Sequence, residues 1–202
     1  MKHLVILGAG TAGTMMSNHL RKSLNKSEWK ISIIDQRKIH HYQPGYLFIP
    51  FGIYDEEDVI KPIDKFINKD VQFIQEAIEK VDYENDTIEL KNGEQIDYDL
   101  MIIATGTDIA PDEIEGMDGP FWHRDIFDFY TLEGAVKLHD KLETWEGGHL
   151  VVHIAEMPIK CPVAPLEFAF LADSYFTEKG IRDKVKISFV TPMDGAFTKP
   201  VA

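Results

Sequence analysis

Cysteine is nearly absent from this 202-residue chain, which contains one, Cys161. A single cysteine excludes an intramolecular disulfide framework and a metal site built from several thiolates. The eight histidines are scattered without the spacing of metal ligands. We therefore expect no metal site.

Basic residues and long apolar runs are also scarce. The sequence has 21 Lys and Arg against 34 Asp and Glu, and the resulting net charge of -13 argues against a nucleic-acid partner. No run approaches the roughly 20 apolar residues that a membrane-spanning helix needs, and the short apolar N-terminus leads into glycines rather than a signal-peptide cleavage site. We expect no signal peptide and no transmembrane helix, and a location in the cytoplasm or at a membrane surface.

The N-terminal segment carries a dinucleotide-binding pattern. An apolar strand leads into the glycine motif of residues 8–13, a helical pattern follows, and the next strand ends at Asp35, 22 residues after Gly13. Gly8 would allow a tight turn, Gly10 would let a diphosphate approach, and the helix N-terminus would face its phosphates. A glycine loop that serves only helix packing is the alternative. The predicted cofactor-binding residues here are Gly8, Gly10, Thr11, Ala12, Gly13, Asp35 and Gln36.

Two helices are predicted near this motif, one directly after its glycines and one beyond Asp35. Helical spacing after Gly10 predicts a two-sided helix, with Ala12, Met15, Met16 and Leu20 on its apolar side and Asn18, Arg21 and Lys22 on the other. Residues 55–67 are predicted to form a short helix that is weakened or kinked at Pro62.

Residues 71–106 predict strands rather than helices. Three strand-like segments are separated by turn signals, the stronger being Asn92-Gly93, and a further buried strand ends at Ala104-Thr105-Gly106. This order resembles the two-dinucleotide-binding-domain flavoproteins of the glutathione reductase superfamily. The resemblance implies FAD, with Ala104, Thr105 and Gly106 near its diphosphate and the backbone at Ala77 and Ile78 near its adenine. The expected α/β fold is a Rossmann-like FAD-binding domain with an inserted β-meander (residues 1–110), followed by the start of a second Rossmann-like domain (residues 111–202).

The second domain lacks glycine where a nucleotide loop would be expected. Its first strand pattern, at residues 149–155, is followed by a loop that contains three prolines and Cys161. Ring-locked prolines and side chains would block a pyrophosphate, so NAD(P)H is not expected to bind there. Lys160 and the N-terminus of the following helix would stabilise a reactive Cys161 thiolate. A buried, inert cysteine is the alternative.

Residues 160–167, Lys-Cys-Pro-Val-Ala-Pro-Leu-Glu, resemble the C-P-x-A-P-x-E motif of sulfide:quinone oxidoreductases and the related flavocytochrome c sulfide dehydrogenases. Residues 42–48 resemble the family's loop near the flavin, which would bring Gln43 and Pro44 to the cofactor; an ordinary surface turn is the alternative. The resemblance implies that Cys161 pairs with a second cysteine beside the flavin. Sulfide would attack this pair and electrons would pass through FAD to quinone. Glu167 matches an acid of the family that assists proton transfer.

The sequence also departs from that family. Tyr130 stands where many members have a further cysteine, and the partner cysteine and the family's C-terminal half are absent from the 202 residues. We therefore expect an FAD-dependent oxidoreductase portion that acts on sulfide or a related sulfur species and is inactive without a C-terminal half or second subunit. The alternatives are a type II NADH:quinone dehydrogenase-like flavoprotein and a non-catalytic FAD-binding half-protein. A peripheral membrane contact stays open.

Overall fold

The computed structural model describes residues 1–196, which form two compact units. Unit 1 consists of Met1–Tyr42 and Val59–Thr107, and unit 2 consists of Gln43–Asp58 and the described residues from Asp108 onward. The domain limits 1–110 and 111–202 stay a prediction, and residues 197–202 lie outside the described part.

Unit 1 is built on a four-stranded parallel sheet that consists of β1 (Lys2–Leu7), β2 (Trp29–Ile34), β5 (Gln72–Ile74) and β9 (Leu100–Ile103). The strands lie in the order β5-β2-β1-β9. In β1, Leu4 and Ile6 belong to one buried cluster, whereas Val5 and Leu7 belong to another. All four side chains are at most 2 % exposed. The central strand is therefore covered on both faces, as is usual for a parallel sheet.

Helix α1 (Thr11–Ser23) buries a mainly polar face, so the predicted apolar face is wrong for three of its four residues, and Leu20, half-buried against the core, is the exception. Ala12, Met15 and Met16 are exposed. The buried positions are Gly13, Thr14, Ser17 and Arg21. The reason is the close approach of helix and loop, because a Cβ on Gly13 would lie 1.8 Å from the Gly8 carbonyl oxygen.

A β-meander is present as predicted, an antiparallel sheet of β6 (Ile78–Asp82), β7 (Thr87–Leu90) and β8 (Gln95–Asp97). Its membership differs from the prediction, because the strand segment at residues 71–74 is β5 of the parallel sheet and the third meander strand, β8, comes after the Asn92-Gly93 turn. The short helix predicted over residues 55–67 is only partly correct. Helix α2 spans Glu56–Val59, after which β4 (Ile60–Pro62) pairs antiparallel with β3 (Ile39–His41). Pairing with β3 draws the chain into an extended conformation that helical spacing alone does not reveal.

Unit 2 contains the predicted strand–helix–strand arrangement. Strands β10 (Gly148–His153) and β11 (Val185–Val190) are parallel and are joined through α4 (Ala164–Glu178), while α3 (Leu132–Thr144) precedes them. The sequence did not predict the 3₁₀ helix at Gln43–Phe51, which contributes Leu47 and Phe51 to the same core. The ring of Phe51 lies 5.0 Å from that of Phe168 on α4. Within residues 1–196, no helix is both long and apolar enough to cross a membrane.

Candidate functional site

The predicted cofactor residues of unit 1 follow the carboxyl ends of its parallel strands. Strand β1 leads into Gly8, β2 into Asp35 and β9 into Ala104, and the register sets Leu7 level with both Ile34 and Ile103. The remaining strand, β5, leads towards Ala77 and Ile78. Ligands of open α/β sheets bind outside this edge.

Gly8 is the point where the two glycine motifs meet. Its φ of +93° favours glycine, and a Cβ there would lie 2.5 Å from the Ala104 carbonyl oxygen and 2.9 Å from the Thr105 Cα. Backbone hydrogen bonds fix this approach, because Gly8 N–H donates to Ile34 O at 2.7 Å and Ala104 N–H donates to Leu7 O at 2.7 Å. The strand end at Ala104 is therefore locked against the first loop.

Gly10, in contrast, faces open space. A Cβ built on it would meet no heavy atom within 4 Å, and the residue forms the N-cap of α1 without a side-chain cap hydrogen bond. The first turn of α1, which includes the predicted residues Thr11 and Ala12, carries no acidic side chain. The N–H groups and positive dipole end of a 13-residue helix thus adjoin a gap that suits a cofactor's diphosphate.

Asp35 is held by the backbone of two loops. Its Oδ2 accepts a hydrogen bond from Ala9 N–H at 2.8 Å, and its Oδ1 accepts one from Arg37 N–H at 2.9 Å. An ionised carboxylate has about four acceptor positions, so about two remain for the hydroxyls of a ribose. Gln36 beside it is exposed. These residues fit the adenosine end of a dinucleotide.

Ala77 and Ile78 lie where the chain enters the meander. The Ala77 carbonyl accepts a hydrogen bond from Lys91 N–H at 2.9 Å, and its own N–H donates to Glu76 Oε1 at 2.8 Å. Both residues are half-buried. Thr105 and Gly106, after β9, are exposed, and Gly106 has a φ of +76°.

Cys161 lies in the turn between β10 and α4 of unit 2, and it is exposed rather than packed as a small hydrophobic side chain. Its φ of +52° is left-handed, a conformation that costs a non-glycine residue roughly 1–2 kcal/mol. Two donors meet its carbonyl oxygen: the Tyr130 hydroxyl at 3.2 Å and Ala164 N–H at 3.0 Å. These bonds offset the strain and fix the direction of the turn.

The other predicted residues of unit 2 flank this turn. Lys160 Nζ donates a hydrogen bond to Gln43 Oε1 at 3.1 Å, so two predicted site residues that are far apart in the sequence meet. Pro44 follows Gln43 and is exposed. Glu167 lies in the first turn of α4, also exposed, where the helix dipole favours a carboxylate.

Sequence reasoning missed the contact of Tyr130 with the cysteine turn. Burial raises the pKa of the Tyr130 hydroxyl, and negative charge on Cys161 raises that pKa further. The hydroxyl therefore stays protonated and remains a hydrogen-bond donor. Nothing in the local pattern around Tyr130 indicates a partner 31 residues away.

Asp128 fixes Tyr130 and the start of α3, and it is only 8 % exposed. Its Oδ1 accepts hydrogen bonds from the N–H groups of Tyr130 at 2.9 Å and Thr131 at 2.7 Å. Thr131 is the N-cap residue, and its Oγ1 accepts from Gly134 N–H at 3.0 Å. The Asp and Thr just before a predicted helix are capping signals that could have located this turn.

Comparisons with known proteins agree with this geometry. Residues 2–153 match the family model described as pyridine nucleotide-disulphide oxidoreductase. The mitochondrial sulfide:quinone oxidoreductase of Dictyostelium discoideum is 26 % identical over 187 residues, which cover 92 % of this chain and 41 % of that protein. The type II NADH:quinone oxidoreductase of Staphylococcus haemolyticus is 34 % identical over 144 residues, 70 % of this chain and 34 % of that protein.

A solved structure gives the same result. The X-ray structure of the sulfide:quinone oxidoreductase from the hyperthermophilic bacterium Aquifex aeolicus superposes with a TM-score of 0.78 at 27 % identity, over 95 % of this chain and 43 % of that one. The resemblance to sulfide:quinone oxidoreductases and the predicted fold class are thereby confirmed. The chain spans less than half the length of the relatives it matches.

Proposed function

The chain belongs to the pyridine nucleotide-disulphide oxidoreductase family, and on this premise we propose that it is a portion of an FAD-dependent oxidoreductase that oxidises sulfide or a related sulfur species. The observation that carries the proposal is the exposed Cys161, held in a glycine-free turn at the start of α4. The similarity to sulfide:quinone oxidoreductases supports it, because an alignment over 92 % of the chain includes this turn.

FAD would bind at the carboxyl edge of the sheet in unit 1. The gap at Gly10, the helix N-terminus and the Asp35 carboxylate suit the diphosphate and the adenosine ribose. Ala104, Thr105 and Gly106 would line the diphosphate from β9, and Ala77 and Ile78 would meet the adenine. When bound, FAD supplies a two-electron acceptor that can pass its electrons to quinone.

Cys161 would act through a disulfide with a second cysteine that is absent from the 202 residues. Hydrosulfide attacks one sulfur, the S–S bond breaks, and a persulfide and a thiolate form. In the whole reaction, hydrosulfide, a quinone and a proton give a quinol and a sulfur atom at oxidation level zero, held as persulfide. Another polypeptide, or a further part of a longer chain, would supply the second cysteine.

Lys160 and Glu167 would assist this chemistry from either side of the turn. The positive charge of the Lys160 ammonium would favour negative charge on Cys161. The hydrogen bond from Lys160 Nζ to Gln43 Oε1 restricts the position of the ammonium. Glu167 is exposed at the first turn of α4, where it could accept the proton that hydrosulfide releases. Quinones are membrane-soluble, so a peripheral membrane contact belongs to the same proposal.

The chain can be tested through its single thiol. Purified without reductant from cells, it should carry visible flavin and a reductant-sensitive adduct between Cys161 and a second cysteine, either in another polypeptide or in a further part of a longer chain. Under anaerobic conditions, sulfide should bleach the flavin of that complex, and NADH should not. The Cys161→Ser variant should retain flavin and lose both the adduct and the bleaching. Bleaching by NADH together with indifference to sulfide would refute the proposal.

Bleaching of the flavin by NADH and not by sulfide would instead support a second candidate function, that of an NADH:quinone oxidoreductase-type flavoprotein. Its support is the 34 % identity to the staphylococcal relative. The turn after β10 weighs against it, because residues 155–167 contain no glycine and a pyrophosphate needs close backbone approach. A non-catalytic FAD-binding half-protein would bind flavin but respond to neither reductant.

A further inference from the structure

We infer that Tyr130 is a positioning residue for Cys161: its hydroxyl anchors the Cys161 carbonyl and so sets the direction in which the thiol is presented. The inference rests on the proposed redox role of Cys161. Its observation is the 3.2 Å hydrogen bond from the Tyr130 hydroxyl to Cys161 O, made to a residue with a φ of +52°.

The anchor acts on the backbone and leaves the sulfur free. Ala164 N–H donates to the same carbonyl at 3.0 Å, so a backbone donor and a side-chain donor together occupy both acceptor positions of that oxygen. The bond from Ala164 closes the turn into α4, whereas the bond from Tyr130 ties the turn to a separate segment. Without Tyr130, the Cys161 carbonyl would keep only the local bond from Ala164 among the hydrogen bonds of residues 1–196.

Tyr130 is itself rigidly placed. Its N–H donates to the buried Asp128 Oδ1 at 2.9 Å, and its ring stacks on Phe129 with centroids 5.1 Å apart. Phe129 stacks in turn on Phe168, at 4.7 Å. Because Phe168 lies in the second turn of α4, the helix that follows the cysteine also braces the tyrosine that anchors it.

The anchor is also independent of the chemical state of the sulfur. A thiolate, a disulfide and a persulfide at Cys161 all leave its carbonyl oxygen unchanged. Burial raises the pKa of the Tyr130 hydroxyl in each of these states, and negative charge on Cys161 raises that pKa further where the sulfur is ionised. Tyr130 can therefore donate throughout a cycle in which the sulfur changes charge and partner. A phenol in direct contact with the sulfur would have to alter its bond at each step.

The single cysteine makes a direct test possible. With ¹³C-labelled cysteine the chain gives signals from Cys161 alone, and its Cα and Cβ shifts report the backbone conformation. Tyr130→Phe removes one oxygen and keeps the stacked ring. We expect the Cys161 shifts to move towards random-coil values and the rate constant for alkylation of the thiol to change at least threefold. Tyr175→Phe, which removes a hydroxyl elsewhere in unit 2, should change neither.

The outcomes separate this inference from the proposed function, because neither readout needs flavin or sulfide. Unchanged shifts and alkylation rate in Tyr130→Phe overturn the inference, even if Cys161→Ser abolishes bleaching by sulfide. If the Cys161 shifts change in Tyr130→Phe but sulfide does not bleach the flavin complex, the proposed sulfide oxidation is refuted. The hydrogen bond from Tyr130 then has a structural role only. A melting temperature of Tyr130→Phe within a few degrees of the parent shows that the change is local. If the variant fails to fold, Tyr130→Trp gives a second test, since its indole N–H cannot reproduce the hydroxyl geometry and the same shift change is expected.

Discussion

The Asp35 carboxylate accepts a hydrogen bond from the backbone N–H of Ala9 at 2.8 Å, so the acidic residue after β2 also fixes the glycine loop after β1. A ribose bound at Asp35 and a diphosphate bound at the loop would therefore share one support. This link makes the two halves of the proposed adenosine site interdependent.

Replacing Asp35 should consequently weaken FAD binding strongly. In Asp35→Ala the ribose hydroxyls lose a charged acceptor, an interaction usually worth about 1.5–3 kcal/mol. The dissociation constant for FAD, measured by fluorescence titration, should rise by roughly ten- to hundredfold. Glu79→Ala, at an exposed position of β6, serves as the matched control. Equal affinity in the two variants would contradict the assignment of Asp35.

Two glycines, Gly10 before α1 and Gly13 within it, should respond differently to replacement by alanine. Gly10→Ala adds a methyl group in open space, so the apo protein should lose only the roughly 1 kcal/mol that a poorer N-cap residue costs, while flavin binding falls. Gly13→Ala places a Cβ 1.8 Å from the Gly8 carbonyl oxygen, so the fold itself should be destabilised. Thermal unfolding and flavin absorbance of each variant check both statements. Flavin binding by Gly10→Ala at the parent level would show that the diphosphate does not approach there.

His3 should make the chain less stable on acidification. Burial lowers the pKa of His3 below 6.5, and its Nδ1 donates to Asp97 O at 2.8 Å while Nε2 contacts Ser32 Oγ at 2.8 Å. Below pH 6.5 the unfolded chain binds the proton before the folded chain does, so stability falls until the pH passes the folded pKa. Above pH 6.5 both states are neutral and the effect vanishes.

The variant His3→Gln should flatten the dependence of the unfolding free energy on pH between 6.5 and the lowered pKa of His3. Urea titrations across this range measure it. The exposed His19 provides the control, and the change of slope in His3→Gln should exceed that in His19→Gln. A slope that persists in His3→Gln would assign the effect to other groups.

Unit 2 should be sensitive to a methyl group at Gly134. A Cβ there would lie 2.1 Å from Asp128 Oδ2, which would displace the carboxylate that holds Tyr130 and Thr131. Gly134→Ala should therefore lower stability by about 2 kcal/mol or more, despite the better helix propensity of alanine. Gly119→Ala, where the nearest atom is 3.4 Å away, is the control for thermal unfolding. Similar melting temperatures for both variants would show that the Asp128 carboxylate can move away from Gly134 at little cost in stability.

The sequence predicted those features whose cause is local. Strand patterns, the N-terminal glycine motif and the turn at Asn92-Gly93 identified the parallel sheet and the meander, because glycine conformations and alternating apolar residues report their own surroundings. Most of the buried face of α1 was predicted wrongly, since apolar spacing suggested Met15 and Met16, whereas α1 lies too close to Gly8 for a Cβ at Gly13 and the next buried residues are Thr14 and Ser17.

In the candidate site, the positions of some residues were predictable for the same local reason, and their part in binding stays a prediction. Glycine and acidic positions at strand ends follow from sequence spacing. The contacts of Tyr130 with Cys161 and of Lys160 with Gln43 join segments 31 and 117 residues apart, and no local periodicity encodes such pairs. Pairing of β3 with β4, which ended the predicted helix at Val59, is nonlocal in the same way.

The 3₁₀ helix at Gln43–Phe51 bears on how this protein can be dissected. The segment lies between two stretches of unit 1 in the sequence, yet its Leu47 and Phe51 belong to the core of unit 2. A fragment that begins after Thr107 would thus lack Leu47 and Phe51, two side chains of its own core. A fragment that ends at Thr107 would carry the same two apolar side chains without the core in which they pack. Neither half can be excised with one cut, and a stable unit 2 would require residues 43–58 to be grafted back, by a linker or in trans.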